Sequence, residues 1–220
     1  MNLLILEPGE RSLPADDLRA RHILRVLKLA SGDELRAGEL GGRLGTARVT
    51  ATSGGRVELS FTGTARPQPL PGVELLLGHP RPIVLKRMLR DLTTIGIERL
   101  LVVPTRTGEA SYARSRLWDE LEPPLREGAA QASTTHLPEV VRAGSLEEAL
   151  AGLTVPEEGR MLLHGESDVH QRLPALASRL AGCEASSVAI AVGSERGWVP
   201  AEVAAFRSHG FRLASLGTRI

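Results

Sequence analysis

Lysine is nearly missing from this chain: of its 27 basic residues, 25 are arginine and 2 are lysine. Arginine offers a planar fork suited to phosphates and stacks on bases. A GC-rich genome favours the same codons, however, and the formal net charge is only +1. Composition therefore permits nucleic-acid binding without establishing it. The single cysteine, Cys183, excludes an intrachain disulfide and a cysteine-rich zinc site, and it fits a reducing cytoplasm. No apolar run approaches the ~18 residues that would span a bilayer, so no membrane is expected. The opening MNLLILEPGERS lacks a basic n-region and a small-residue cleavage site, and reads as a first strand. Internal repeats and low-complexity tracts are missing as well.

Several nucleotide and catalytic motifs are also missing. No G-x-G-x-x-G follows a strand and there is no G-x-x-x-x-G-K-[ST]. A nucleophile elbow at Ser194 would need glycine at 192, where valine stands. The six histidines, His22, His79, His136, His164, His170 and His209, show no metal-ligand spacing, and most read as surface or turn residues; no metal is implied.

What is present divides at Arg66–Gly72 (RPQPLPG), where three prolines in five positions make a stiff connector. The expected domains are therefore 1–66, a linker 67–72, and 73–220. Before the linker, β-like segments dominate: 2–6, 34–37, and a hairpin of 47–52 and 56–61 around Ser53-Gly54-Gly55. One helix is expected over 15–29, with Leu18, Ile23, Leu24, Val26 and Leu27 at roughly helical spacing. A small, mostly antiparallel barrel is the natural closure. After the linker the rhythm becomes strand and helix in alternation: strands 73–78, 100–104, 161–164, 187–193 and 211–216, and helices 83–95, 117–132, 146–152, 173–181 and 200–209. Continuously apolar strands separated by helices indicate a parallel sheet covered on both faces.

Ligands of such sheets bind beyond the carboxyl ends of the strands. Three glycine-bearing strand ends are candidates: His164-Gly165-Glu166, Gly193 to Gly197, and Leu216 to Ile220. Glycine lets the backbone approach a ligand closely, although any one of them also serves a tight turn.

The residues then resemble a family. Ala191-Val192-Gly193-Ser194-Glu195-Arg196-Gly197-Trp198, Pro200-Ala201-Glu202-Val203, Gly210-Phe211 and Leu216-Gly217-Thr218-Arg219-Ile220 look like the C-terminal signature of the RsmE ribosomal RNA methyltransferases. Thr93-Thr94-Ile95-Gly96-Ile97, Gln131-Ala132-Ser133 with Leu137-Pro138-Glu139-Val140, and His22 to Leu27 with Ser31-Gly32-Asp33-Glu34 match further family segments, in order and in both domains. The resemblance implies an α/β, SPOUT-type (trefoil-knot) parallel-sheet domain preceded by a small PUA-like β-barrel. It implies S-adenosylmethionine-dependent methylation of uridine N3 in small-subunit (16S) ribosomal RNA, and a homodimer.

On this resemblance the cofactor would lie against Leu163, His164 and Gly165, against Val192, Gly193, Glu195 and Gly197, and against Leu216 and Gly217. Arg219 would stabilise the anion that develops on the base, with Glu195 as a second catalytic candidate. His22, Arg25 and Lys28 on one helix, and Arg81, Lys86, Arg87 and Arg90 on another, would grip RNA. Few aromatics are available for stacking (Phe61, Tyr112 and Trp198), so shape recognition of structured RNA is expected. Ser194, Arg196 and Thr94 depart from the family's pattern, and the sequence stops at Ile220, where the family continues. A bulky cation at 196 would weaken cofactor binding unless it points to solvent or RNA. These departures leave open a catalytically degenerate SPOUT-fold RNA-binding protein. An acyl hydrolase using Ser194 with His164 or His209 is the third reading.

Overall fold

The computed structural model describes residues 2–165, 174–181, 183 and 185–216. The chain forms two compact units. One comprises Met1–Pro69, Arg90–Ile95 and Glu122–Leu137, the other Leu70–Leu89, Gly96–Leu121 and Pro138–Ile220.

The first unit is built on a five-stranded sheet of β1 (Leu4–Leu6), β2 (Ser12–Leu13), β3 (Glu34–Glu39), β4 (Leu44–Ser53) and β5 (Arg56–Ala65), in the order β1-β3-β4-β5-β2. Only β1 and β3 run parallel. Ser53 pairs with Arg56 across a two-residue turn in which Gly54 and Gly55 both have positive φ (57° and 83°), as the twist of a hairpin demands. The alternation of β4 and β5 sends Ala47, Val49, Val57 and Leu59 into one core with Leu4, Leu6, Leu13, Ala37, Ala20 and Ile23.

The helix expected over 15–29 is shorter and of mixed type. Asp17 caps α1 (Leu18–Arg21) by accepting from the Arg19 N–H at 2.7 Å, and a π-helical turn follows over His22–Val26. There the Leu27 N–H reaches back to the His22 carbonyl at 3.0 Å, and Lys28 takes a left-handed φ of 55°. One extra residue in a turn rotates every later side chain by about 100°. After it Val26 and Leu27 are exposed, while within it Ile23 is buried and Leu24 half-buried; Leu18, ahead of it on α1, is exposed as well.

The last residues of α2 (Pro82–Ile95) and all of α3 (Glu122–Ala132) belong to this unit too. Ala129 and Ala130 pack on Leu3 and Ile5 of the β1 segment. Gly128 is required there: a Cβ would sit 2.3 Å from the Arg90 carbonyl. The helix expected over 117–132 is interrupted, with a 3-10 turn at Arg116–Asp119 and α3 beginning only at Glu122. Pro123 and Pro124 fit a first helical turn but disfavour helix in the residues before them.

The second unit is a six-stranded, wholly parallel sheet. Its strands are β6 (Val73–Gly78), β7 (Arg99–Val103), β8 (Glu139–Arg142), β9 (Arg160–Leu163), β10 (Val188–Val192) and β11 (Arg212–Ala214), ordered β11-β9-β10-β6-β7-β8. α4 (Leu146–Ala151), α5 (Leu176–Ala181) and α6 (Pro200–Ser208) complete it. Leu76, Leu101, Val103, Leu162, Ala189 and Ala191 from the strands bury against Leu146, Ala149 and Leu150 of α4 and against Trp198, Phe206 and Phe211. Trp198, Phe206 and Phe211 stack edge to face in series, with centroids 4.8 and 4.9 Å apart. β8 was not expected. EVVR is too short to show a period, and as an edge strand it is at most half-buried.

Candidate functional site

The strand order contains one reversal that matters. The chain leaves β6 for β7 on one side, and leaves β10 for β11 on the other, so the connections diverge between neighbouring β6 and β10. Such a switch point opens a crevice at the carboxyl ends of the strands. Here it is narrow and lined by glycine. A Cβ on Gly78, the last residue of β6, would lie 2.5 Å from the Ser194 amide nitrogen and 3.0 Å from the Gly193 carbonyl carbon. A Cβ on Gly193 would lie 2.8 Å from the Gly197 Cα. The turn itself is closed by the Gly197 N–H donating to the Ser194 carbonyl at 2.8 Å, with Gly197 at φ 69°.

Parallel register brings the other candidate segments to the same edge. Ala191 pairs with Leu162, so Val192 and Leu163 are next in line, and Leu163 pairs with Ala214. The His164 N–H donates to the Ala214 carbonyl at 3.1 Å. Leu163, His164 and Gly165, the Val192–Gly197 turn, and Leu216 thus leave three adjacent strands together. Leu216 is exposed, and Gly217 and Arg219 lie outside the described residues.

Glu195 and Arg196 are both exposed. Glu195 Oε1 accepts from the Arg81 N–H at 3.5 Å, and the Arg196 guanidinium reaches the Thr107 carbonyl at 3.5 Å. The arginine therefore meets the condition set by the sequence, pointing outward from the turn. Ser194 Oγ lies 3.4 Å from Thr105 Oγ1, and no histidine hydrogen-bonds it among the described residues, which removes the basis for a hydrolase.

Two features escaped the sequence. Glu202 in the first turn of α6 is buried, at 4% exposure. One of its carboxylate oxygens accepts from the Arg106 N–H at 2.7 Å and the other from the Val199 N–H at 2.8 Å. It thereby ties the segment after β7 to the end of the glycine turn. The second is His79, which the sequence did not set apart from the other histidines and which is only 7% exposed. Its Nδ1 faces the Pro80 carbonyl at 2.9 Å, its ring lies 5.4 Å from Trp118 and 5.9 Å from Tyr112, and its Nε2 has no partner among the described residues. Burial holds its pKa below the ordinary histidine value, helped by the positive charge of Arg142 and opposed by the Pro80 carbonyl and Glu195.

The stacking candidates divide. Trp198 is in the core and cannot meet a base, Phe61 carries the Arg11 guanidinium 5.5 Å above its ring, and Tyr112 is half-buried beside His79. Among the basic candidates, Arg25, Lys28, Arg81, Lys86 and Arg87 are exposed. His22 is half-buried with Nε2 enclosed, and Arg90 is engaged by Asp91 at 2.8 Å and Glu127 at 3.6 Å. No group of residues able to hold a metal occurs among the described residues, and no described helix is long and apolar enough to cross a membrane.

Residues 66–220 match the RNA methyltransferase domain family, and residues 16–62 match the RNA methyltransferase PUA domain. A parallel sheet with a glycine-lined switch point, carried with a PUA-type sheet domain, is thus the architecture of an RNA methyltransferase. The chain is 34% identical to the ribosomal RNA small subunit methyltransferase E of Treponema pallidum, over all of this chain and 85% of that one. Identity to methyltransferase E 1 of Borreliella burgdorferi is 26%, over 99% of this chain and 90% of the other. The Neisseria gonorrhoeae enzyme of the same name, solved bound to S-adenosyl methionine, superposes with a TM-score of 0.78 at 21% identity, over 100% of this chain and 90% of that one. This chain belongs to the ribosomal RNA small subunit methyltransferase E family.

Proposed function

We propose that this protein transfers the methyl group of S-adenosylmethionine to N3 of a uridine in small-subunit ribosomal RNA. The observation that carries the reading is the glycine-lined crevice where β6 meets β10, on a chain whose full-length relatives are named as this enzyme. The residues fit the cofactor. Gly78 and Gly193 let the strand ends pack backbone to backbone, Gly197 has open space where a Cβ would lie, so a flat adenosine can approach main chain there, and the one bulky cation of the turn, Arg196, reaches outward to Thr107. Leu163, His164 and Gly165 would form one wall, Val192, Gly193, Glu195 and Gly197 a second, and Leu216 with Gly217 a third. When bound, S-adenosylmethionine supplies an electrophilic methyl carbon on a sulfonium.

The chain's own residues have three tasks: to exclude water, to align the base with that carbon, and to manage the proton on N3. Arg219 is assigned the anion-stabilising role, with Glu195 orienting the turn. RNA would be held by Arg25 and Lys28 in the first unit and by Arg81 and Arg87 on α2, with His22 contributing through packing because its Nε2 is enclosed. The functional domains are assigned to 1–66 and 73–220 about the linker at 67–72. We further assign a cytoplasmic homodimer, for which light scattering at micromolar protein should give twice the chain mass. Calorimetric titration with S-adenosylmethionine, with ATP as control, tests the central reading. Saturable, cofactor-selective binding supports it, and no binding favours a degenerate RNA-binding fold.

A further inference from the structure

Methylating an imide nitrogen requires a group that takes its proton, and none of the residues assigned above does so. His79 follows directly on Gly78, the residue whose backbone meets the cofactor turn at the switch point. The Pro80 carbonyl facing Nδ1 can only accept, so Nδ1 carries the ring proton. In the neutral ring, Nε2 is then a bare acceptor. It is enclosed yet unpartnered among the described residues, and a buried acceptor left unsatisfied calls for a function. The His79 ring lies beside those of Trp118 and Tyr112, both carried by short 3-10 turns at Ala110–Arg114 and Arg116–Asp119. Trp118 Nε1 donates to the Tyr112 carbonyl at 3.3 Å, and Arg142 donates to the Ala113 carbonyl at 2.7 Å while its guanidinium lies 5.4 Å above the Trp118 ring.

We infer that His79 Nε2 is the acceptor for the N3 proton of the target uridine, covered by the Tyr112–Trp118 segment until RNA displaces it. The inference rests on the proposed methyl transfer. In the step, the N3–H bond breaks and its proton passes to His79 Nε2. The nitrogen electron pair forms the bond to the methyl carbon, and the electron pair of the broken carbon–sulfur bond stays on sulfur, which becomes a neutral thioether. The imidazolium then releases its proton to solvent when the methylated base leaves. The charged and titratable groups facing the ring are Arg142 from β8, Glu195 from the glycine turn and Tyr112 from the cover. Arg142 disfavours the imidazolium and Glu195 favours it.

The test uses the full chain with unmethylated small ribosomal subunits and radiolabelled S-adenosylmethionine, comparing wild type with His79→Gln and His79→Asn. Cofactor affinity by calorimetry should stay within about twofold, since a tenfold change would signal a disturbed pocket. Methyl transfer at neutral pH should fall by about 100-fold or more in both variants, the range of a lost general base. The loss should shrink about tenfold per pH unit as alkali ionises N3 without help, while the wild-type rate stays level. Trp118 emission, taken as the difference between wild type and Trp118→Phe, should shift when the subunits are added. A pH-independent loss, a wild-type rate in His79→Gln, or no Trp118 shift would each overturn the inference while leaving the methyltransferase reading intact. A wild-type chain that binds no cofactor and transfers no methyl would overturn both.

Discussion

The buried carboxylate of Glu202 gives the sharpest quantitative expectation. It forms no ion pair among the described residues; its two oxygens are spent on the Arg106 and Val199 amides at 2.7 and 2.8 Å. A hydrogen bond to a charged acceptor contributes ~1.5–3 kcal/mol, so the pair contributes ~3–6 kcal/mol. Arg106 is exposed, and water can take over part of its share. That places Glu202→Ala near the lower end, at ~3–4 kcal/mol. Glu202→Gln keeps one acceptor but turns an NH2 group toward an N–H donor, for a loss of about 2–3 kcal/mol. In a unit of this size each kcal/mol lowers Tm by ~2–4 °C, so the glutamine variant should melt about 5–10 °C lower. Trp198 stacks on Phe206 of the same helix, so its emission reports the right transition. Urea unfolding of Glu202→Gln followed by that emission is the assay. A change below ~0.5 kcal/mol, the ordinary range for an uninvolved surface site, would refute the idea that this carboxylate fastens the turn.

Three further outcomes follow from the same geometry. Gly193→Ala would place a methyl 2.8 Å from the Gly197 Cα, and should weaken S-adenosylmethionine binding about tenfold or more in calorimetry without moving the melting of the first unit. Burial alone would raise the Asp17 carboxyl, but hydrogen bonds and charge from Arg19 outweigh it and hold the group below its ordinary value. Its stabilising effect is then full above the unfolded pKa of about 4 and fades as pH falls through the lower folded value. Asp17→Asn, which keeps the helix cap, should flatten the acid limb of the first unit's urea stability. Arg81→Ala and Arg87→Ala, if those exposed side chains contact phosphate, should each lower the slope of log affinity for ribosomal RNA against log salt by about 1, in a filter-binding series.

Large parts of the fold were legible because they rest on repetition. VELLLG, RLLVV and VAIAV carry unbroken apolar stretches at 75–77, 100–103 and 188–192, as strands of a sheet covered on both faces do, and the helix-length segments between them suit parallel crossovers. The Ser53-Gly54-Gly55-Arg56 hairpin was legible for a local reason, two consecutive positive φ values. What was not legible depends on contacts distant in sequence or on a single inserted residue. The π turn at His22–Val26 leaves no compositional trace, yet it turns Val26 and Leu27 out of the core. The close approach of α3 to the end of α2 turns on Gly128 meeting the Arg90 carbonyl, a contact between residues 38 positions apart. His79, between Gly78 and Pro80, carries no local sign of burial. Its burial comes from Tyr112 and Trp118, more than thirty residues on.

The same distinction explains why the changes at Ser194 and Arg196 need not mean a lost activity. A pocket recognised through side chains is damaged by side-chain replacement; one shaped by main chain is damaged mainly where a new atom strikes backbone. An added Cβ would strike backbone at Gly78 of β6 and at Gly193 of the turn, while Gly197 is held at a left-handed φ of 69°; all three are glycine here. Position 194 contributes its amide nitrogen to the contact with Gly78 and its carbonyl to the closure of the turn, and serine supplies both as well as any residue bearing an N–H. Position 196 is exposed and its guanidinium reaches the Thr107 carbonyl, so the added bulk and charge lie outside the backbone contacts. With Glu202 holding the end of the turn through two further backbone amides, the shape offered to a cofactor is set by main-chain atoms that the departures leave in place.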